Sequence, residues 1–94
     1  MPQQVDRLSA TFHGHVQGVG FRFTVRSLAS SYSDISGVVR NLPAGTVELF
    51  AEGNRDSIES LLEDIRSEMQ SNISTIDIDW SRGVREFVDF RIGF

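Results

Sequence analysis

Residues 5–32 read VDRLSATFHGHVQGVGFRFTVRSLASSY, and a change of period within them decides the fold. From 5 to 13 the chain alternates. Leu8, Ala10 and Phe12 share one face, while Arg7, Ser9, Thr11 and His13 share the other, the pattern of a half-buried strand. Glycines then punctuate positions 14, 18 and 20. Beyond them the period lengthens, so that Phe21, Val25, Leu28, Ala29 and Tyr32 fall on one stripe of a helix.

Working outward, residues 35–42 read as a second strand, Pro43-Ala44-Gly45 as a tight turn, and residues 46–52 as a third strand. In that third strand Val47, Leu49 and Ala51 point one way, and Thr46, Glu48, Phe50 and Glu52 the other. Glu48 and Glu52 are expected to be solvated. A second helix opens near Gly53-Asn54-Arg55-Asp56, with Asn54 or Asp56 as N-cap and Asp56 with Glu59 as a capping-box variant. Its apolar stripe is Ile58, Leu61, Leu62, Ile65 and Met69.

A fourth strand over residues 73–80 turns Ile76, Ile78 and Trp80 inward and leaves Asp77 and Asp79 solvated. A last strand over about 86–92 closes the chain. The order is β-α-β-β-α-β with one extra short strand. Two singly striped helices then cover one face of an antiparallel sheet. This predicts an α+β, ferredoxin-like βαββαβ sandwich forming a single domain over residues 1–94. Such a fold hosts many activities, so function must come from particular residues.

Composition narrows the classes. The chain has 94 residues, 39% hydrophobic with seven Phe, which suits one globular domain. It has no cysteine, so disulfides, thiolate metal sites and a Cys nucleophile are excluded. The formal charge of −4 is unfavourable for binding a nucleic-acid backbone. The start, Met1-Pro2-Gln3-Gln4-Val5-Asp6-Arg7, lacks the apolar core of a signal peptide. No apolar run approaches the roughly 20 residues that span a membrane. A cytoplasmic protein, a monomer without nucleic-acid or membrane partners, is expected.

The segment from 14 to 22 carries the most chemical information. Glycines allow successive backbone N–H groups to converge into an anion-binding nest, and a helix start adds free donors and a positive dipole end. Arg22 adds a planar fork of donors suited to a phosphoryl group. By spacing alone a plain strand-to-helix turn is the favoured reading, with Arg22 a solvated first-turn residue. Arg26, one turn further on, reads as a surface charge, and Gln17 as a structural hydrogen-bond donor. His13 and His15 lie two apart, but no third ligand accompanies them to make a metal site. Asn41, at a strand end before the turn, either satisfies turn backbone, which spacing prefers, or orients a water with its amide.

Two longer stretches resemble a known family. Gly14-His15-Val16-Gln17-Gly18-Val19-Gly20-Phe21-Arg22 is similar to the first acylphosphatase signature, Gly-x-Val-Gln-Gly-Val-x-Phe-Arg, without a break. Gly37-Val38-Val39-Arg40-Asn41-Leu42-Pro43-Ala44-Gly45-Thr46-Val47-Glu48 resembles the second. Ala51-Glu52-Gly53 and Phe87-Val88-Asp89-Phe90-Arg91-Ile92 are in the same style, so the likeness spans nearly the whole chain. Two positions depart: Val38 stands where the family usually has an aromatic, and Ala44 where it often has Asp or another polar residue.

The resemblance implies a small stand-alone acylphosphatase that hydrolyses the carboxyl–phosphate bond of acyl phosphates without metal or other cofactor. It implies that Arg22 clamps the phosphoryl oxygens together with the loop of Gln17, Gly18, Val19, Gly20, Phe21 and Arg22. Asn41 then holds the attacking water. The partner is a small-molecule acyl phosphate, and phosphate or sulfate can occupy the same site. Three other classes are less well served. A non-catalytic anion-binding module has no need of a water-orienting Asn. An RNA-binding sheet wants exposed aromatics and a basic surface. A metal chaperone wants cysteines.

Overall fold

The alternating segment becomes an interior strand of a five-stranded sheet. The computed structural model describes residues 3–93. The elements run β1 (Gln4–Gly14), α1 (Phe21–Ala29), β2 (Ser36–Asn41), β3 (Val47–Gly53), α2 (Arg55–Glu68), β4 (Ile73–Val84) and β5 (Phe90–Ile92). The sheet order is β4-β1-β3-β2-β5. The ferredoxin-like order of elements is therefore present, with β5 added at one edge.

The core forms where the apolar stripes meet. Leu8, Ala10 and Phe12 from β1, with Val47, Leu49 and Ala51 from β3, are all buried. Phe21, Val25 and Ala29 from α1 and Ile58, Leu61, Leu62 and Ile65 from α2 pack against them in one cluster. Burying each large side chain of this kind contributes roughly 1.5–3 kcal/mol. No helix among the described residues is long and apolar enough to cross a membrane.

Several expectations need correcting. The sheet is mixed, because β5 pairs parallel to β2 while the other pairings are antiparallel. β5 begins only at Phe90, since residues 85–89 form a strap that crosses the open face of the sheet. That strap explains why Glu52 is buried at 1% exposure rather than solvated. Its carboxylate accepts the backbone N–H of Glu86 at 2.9 Å and of Phe87 at 2.8 Å, and pairs with Arg7 at 3.3 Å. Glu48 is half-buried and pairs with Arg40 at 2.7 Å.

At the other edge β4 runs on to Val84, held by pairing of residues 81–84 with the start of β1. Ile78 points to the helix side, opposite Ala10, yet stays 38% exposed because β4 overhangs the helices as an edge strand. Asp77 and Asp79 are exposed. In α2 the N-cap is Asn54, without a side-chain capping bond. The anticipated capping box is replaced by an Arg55–Glu59 ion pair of 2.8 Å, and the Asn54 N–H donates to Asp34 Oδ2 at 2.9 Å. α1 ends at Ala29, and Tyr32 follows in a turn closed by its N–H on the Ala29 carbonyl.

Candidate active site

The loop between β1 and α1 is pinned from three directions. His15 and Asn72 exchange hydrogen bonds, backbone N–H to carbonyl at 2.9 Å and Asn72 Nδ2 to the His15 carbonyl at 3.1 Å. Val16 and Phe21, 1% and 2% exposed, plug the loop into the core, and the Phe21 ring lies 5.1 Å from that of Phe12. Gln17 Nε2 donates to both the Leu42 and Thr46 carbonyls at 2.8 Å. The loop is thereby tied to the β2–β3 turn.

Between these anchors the backbone takes the conformation that the glycines permit. Gly18 and Gly20 have φ of 75° and 77°, where a Cβ is strained although open space surrounds both. Gly20 is the N-cap of α1 and carries no side chain to satisfy the helix start. The first α1 hydrogen bond is Thr24 N–H to the Gly20 carbonyl. The N–H groups of Gly18, Val19, Gly20 and Phe21 meet no acceptor among the described residues. Unsatisfied donors at a helix start, with the positive dipole end behind them, are the features that favour an anion.

Arg22 stands at the second helical position, partly buried, and its Nη1 donates to the Gly93 carbonyl at 3.0 Å. Gly93 is itself fixed by its N–H on the Val39 carbonyl at 2.8 Å. Val16, Gly18, Gly20, Phe21, Arg22, Phe23 and Asn41 line one small cleft of about 90 Å³. Of the residues singled out in the sequence, Gly18, Gly20, Phe21, Arg22 and Asn41 line this cleft, whereas Gln17 and Val19 do not. Arg22 and Asn41 line the same cleft, while the Gln17 side chain donates to the turn carbonyls.

Other candidates lie elsewhere. His13 Nε2 is 2.8 Å from Asp77 Oδ2 on the sheet, away from the cleft. Among the described residues no three His, Cys, Asp or Glu gather as metal ligands do. Val38 pairs with Phe50 on the face opposite Asn41's, so the first departure from the family pattern does not touch the cleft. Ala44 sits exposed in the turn. Sequence reading missed the Gly93 carbonyl as partner of Arg22, because no local pattern links positions 71 apart. It also passed over Phe23, whose 67% exposure beside this cleft is visible only in three dimensions.

Known proteins resemble this chain in both sequence and fold. The acylphosphatase family model matches residues 8–92. The acylphosphatase of Salinibacter ruber is 42% identical over 87 residues, covering 92% of this chain and 90% of that protein. The crystal structure of acylphosphatase from Bacillus subtilis superposes with a TM-score of 0.83 at 28% identity, covering 95% of this chain and 99% of that one. An acylphosphatase from Coxiella burnetii gives 0.81 at 36%, covering 96% and 93%. On the family match, the sequence identity and the shared fold together, the chain belongs to the acylphosphatase family.

Proposed function

We propose that the cleft hydrolyses acyl phosphates to a carboxylate and inorganic phosphate. One observation carries the reading: a guanidinium, a set of unengaged backbone N–H groups and a carboxamide converge on one small cleft. A phosphoryl dianion seated there meets the N–H groups of residues 17–22 on one side and Arg22 on the other. Charge-assisted bonds of this kind are roughly twice as strong as neutral ones.

Asn41 supplies both an acceptor and donors, so its amide can hold a water by one group and keep it facing phosphorus. The water attacks phosphorus as the P–O bond to the acyl group breaks. The electron pair of that bond leaves with the carboxylate, and the water's protons pass to phosphate oxygen and solvent. A carboxylate is a good leaving group and needs no general acid. Phosphoryl transfer asks mainly for positioning and for charge stabilisation, which the loop and Arg22 supply without a metal ion.

We assign this work to a monomer in the cytoplasm, a setting compatible with a chain free of cysteine. Phosphate and sulfate present the same oxygens and should compete for the cleft. Steady-state release of phosphate from acetyl phosphate, with chelator present, tests the reaction. A folded protein that binds phosphate yet releases none from acetyl phosphate would be an anion-binding module instead.

A further inference from the structure

The nine basic residues are all arginine, and eight of them hold a hydrogen bond or ion pair inside the molecule. Arg26 makes neither among the described residues. It is exposed and lies one helical turn beyond Arg22. Residues four apart on a helix are neighbours, with Cβ atoms about 5–6 Å apart.

Arg26 also lines a groove of about 550 Å³ alongside α1, with Phe23, Ser27, Tyr32, Ile35 and Phe90 among its other walls. No carboxylate lines it among the described residues. Phe23 is common to this groove and to the cleft that holds Arg22 and Asn41. At 67% exposure its ring is an apolar wall between an anion cradle and an unpaired guanidinium. Solitary exposed aromatics are ordinary on a protein surface; one shared by two adjoining concavities has a ligand path on both sides.

Building on the reaction proposed above, we infer that Phe23 and Arg26 form an acyl-chain subsite. It favours acyl phosphates whose acyl group ends in a second anionic group, a carboxylate or a phosphoryl-type group. With the reacting phosphoryl in the cleft, the acyl carbons run past the Phe23 ring and the distal anion reaches Arg26. A chain of about four carbons matches the roughly 5–6 Å between Cβ atoms four apart on a helix. Phe23 contributes apolar contact to any such chain, and Arg26 contributes selection for the charged end.

The test compares kcat and KM for succinyl phosphate, 3-phosphonopropionyl phosphate and the neutral-ended butyryl phosphate. The subsite predicts that the native protein has higher kcat/KM for at least one charged-ended substrate than for butyryl phosphate. Arg26→Gln should reduce that preference about two- to fivefold, the range for one solvent-exposed charged contact, and through KM. Arg26→Lys should retain most of it, and butyryl phosphate should respond to neither change.

Whichever anion loses its advantage in Arg26→Gln identifies the end group. Preferences unchanged in Arg26→Gln for both charged substrates would overturn the subsite while leaving the reaction intact. Failure of the native protein to hydrolyse butyryl, succinyl and acetyl phosphate alike would instead overturn the reaction, and the subsite with it.

Discussion

The side-chain amide of Gln17 donates a 2.8 Å hydrogen bond to the carbonyl oxygen of Leu42, the residue that follows Asn41. Its second proton goes to the Thr46 carbonyl on the other arm of the same turn, also at 2.8 Å. Those two carbonyls also accept backbone N–H groups, Leu42 O from Gly45 and Thr46 O from Leu42. One amide thus holds the β1–α1 loop in register with the strand end that carries Asn41.

Gln17→Ala should therefore behave as the loss of a positioning residue. The two hydrogen bonds contribute about 1–3 kcal/mol together, and their loss should appear as a lower urea midpoint. Turnover should fall by about tenfold if Asn41 holds the water as proposed, because misplacement of such a group is costly. The KM for acetyl phosphate should change less, since the N–H donors and Arg22 remain. An unchanged kcat in a destabilised variant would confine Gln17 to a purely structural role.

Glu52 links stability to the site through the strap. Its buried carboxylate accepts two backbone N–H groups of residues 86 and 87 and pairs with Arg7. The strap leads to β5 and then to Gly93, whose carbonyl engages Arg22. Glu52→Ala strands those donors and should cost about 2–4 kcal/mol in denaturant unfolding. The same variant, measured where it is still folded, should bind acetyl phosphate more weakly because the Gly93 contact to Arg22 loosens. Midpoint and KM both unmoved would contradict this chain of contacts.

Tyr32 gives a pH dependence with a definite sign. Its hydroxyl donates to Asp64 Oδ2 at 2.5 Å, joining the end of α1 to α2. That hydrogen bond, then burial, then the Asp64 charge raise the phenol above its ordinary value of 10.0, with a Ser60 hydrogen bond acting in the opposite sense. A raised acid is stabilised in its protonated form by folding. The contribution is fully present below pH 10.0 and is lost as pH climbs through the higher folded-state value. Tm should be lower for Tyr32→Phe than for the native protein at pH 8, and the gap should shrink above pH 10. A gap that stays constant across that range would exclude the linkage.

Much of the fold is legible in the sequence because its central elements are patterned locally. The switch of period at Gly14–Gly20 marks the β1–α1 junction, and Pro43-Ala44-Gly45 marks the hairpin between β2 and β3. The edges are less legible. Residues 81–84 extend β4 only because β1 offers them a partner, and β5 lies parallel to β2 only because the strap returns the chain there. Glu52 alternates onto the open face as expected, but periodicity carries no information about a distant segment crossing that face.

The site is legible in a similar proportion. Spacing alone raises an anion loop and a water-holding Asn41 but favours a plain turn, and it is the two signature-like stretches that favour Arg22 and Asn41 as site residues. That Arg22 and Asn41 share one cleft follows from tertiary structure, as does the Gly93 contact. Gln17 reads as a structural donor from sequence, whereas its acceptors do not.

The most direct measurement of the central claim is phosphate release from acetyl phosphate, in the presence of chelator, by the native protein and by Arg22→Ala and Asn41→Ala. Each variant should first show a native-like circular dichroism spectrum. Losing a donor aimed at a developing charge typically lowers turnover by about 10²–10³, or roughly 3–4 kcal/mol. Arg22→Ala should lose binding and rate together, and Asn41→Ala should lose mainly kcat with little change in KM. Rapid hydrolysis by the native protein with those two signatures is the predicted result. Native turnover in either folded variant would contradict the role assigned to that residue.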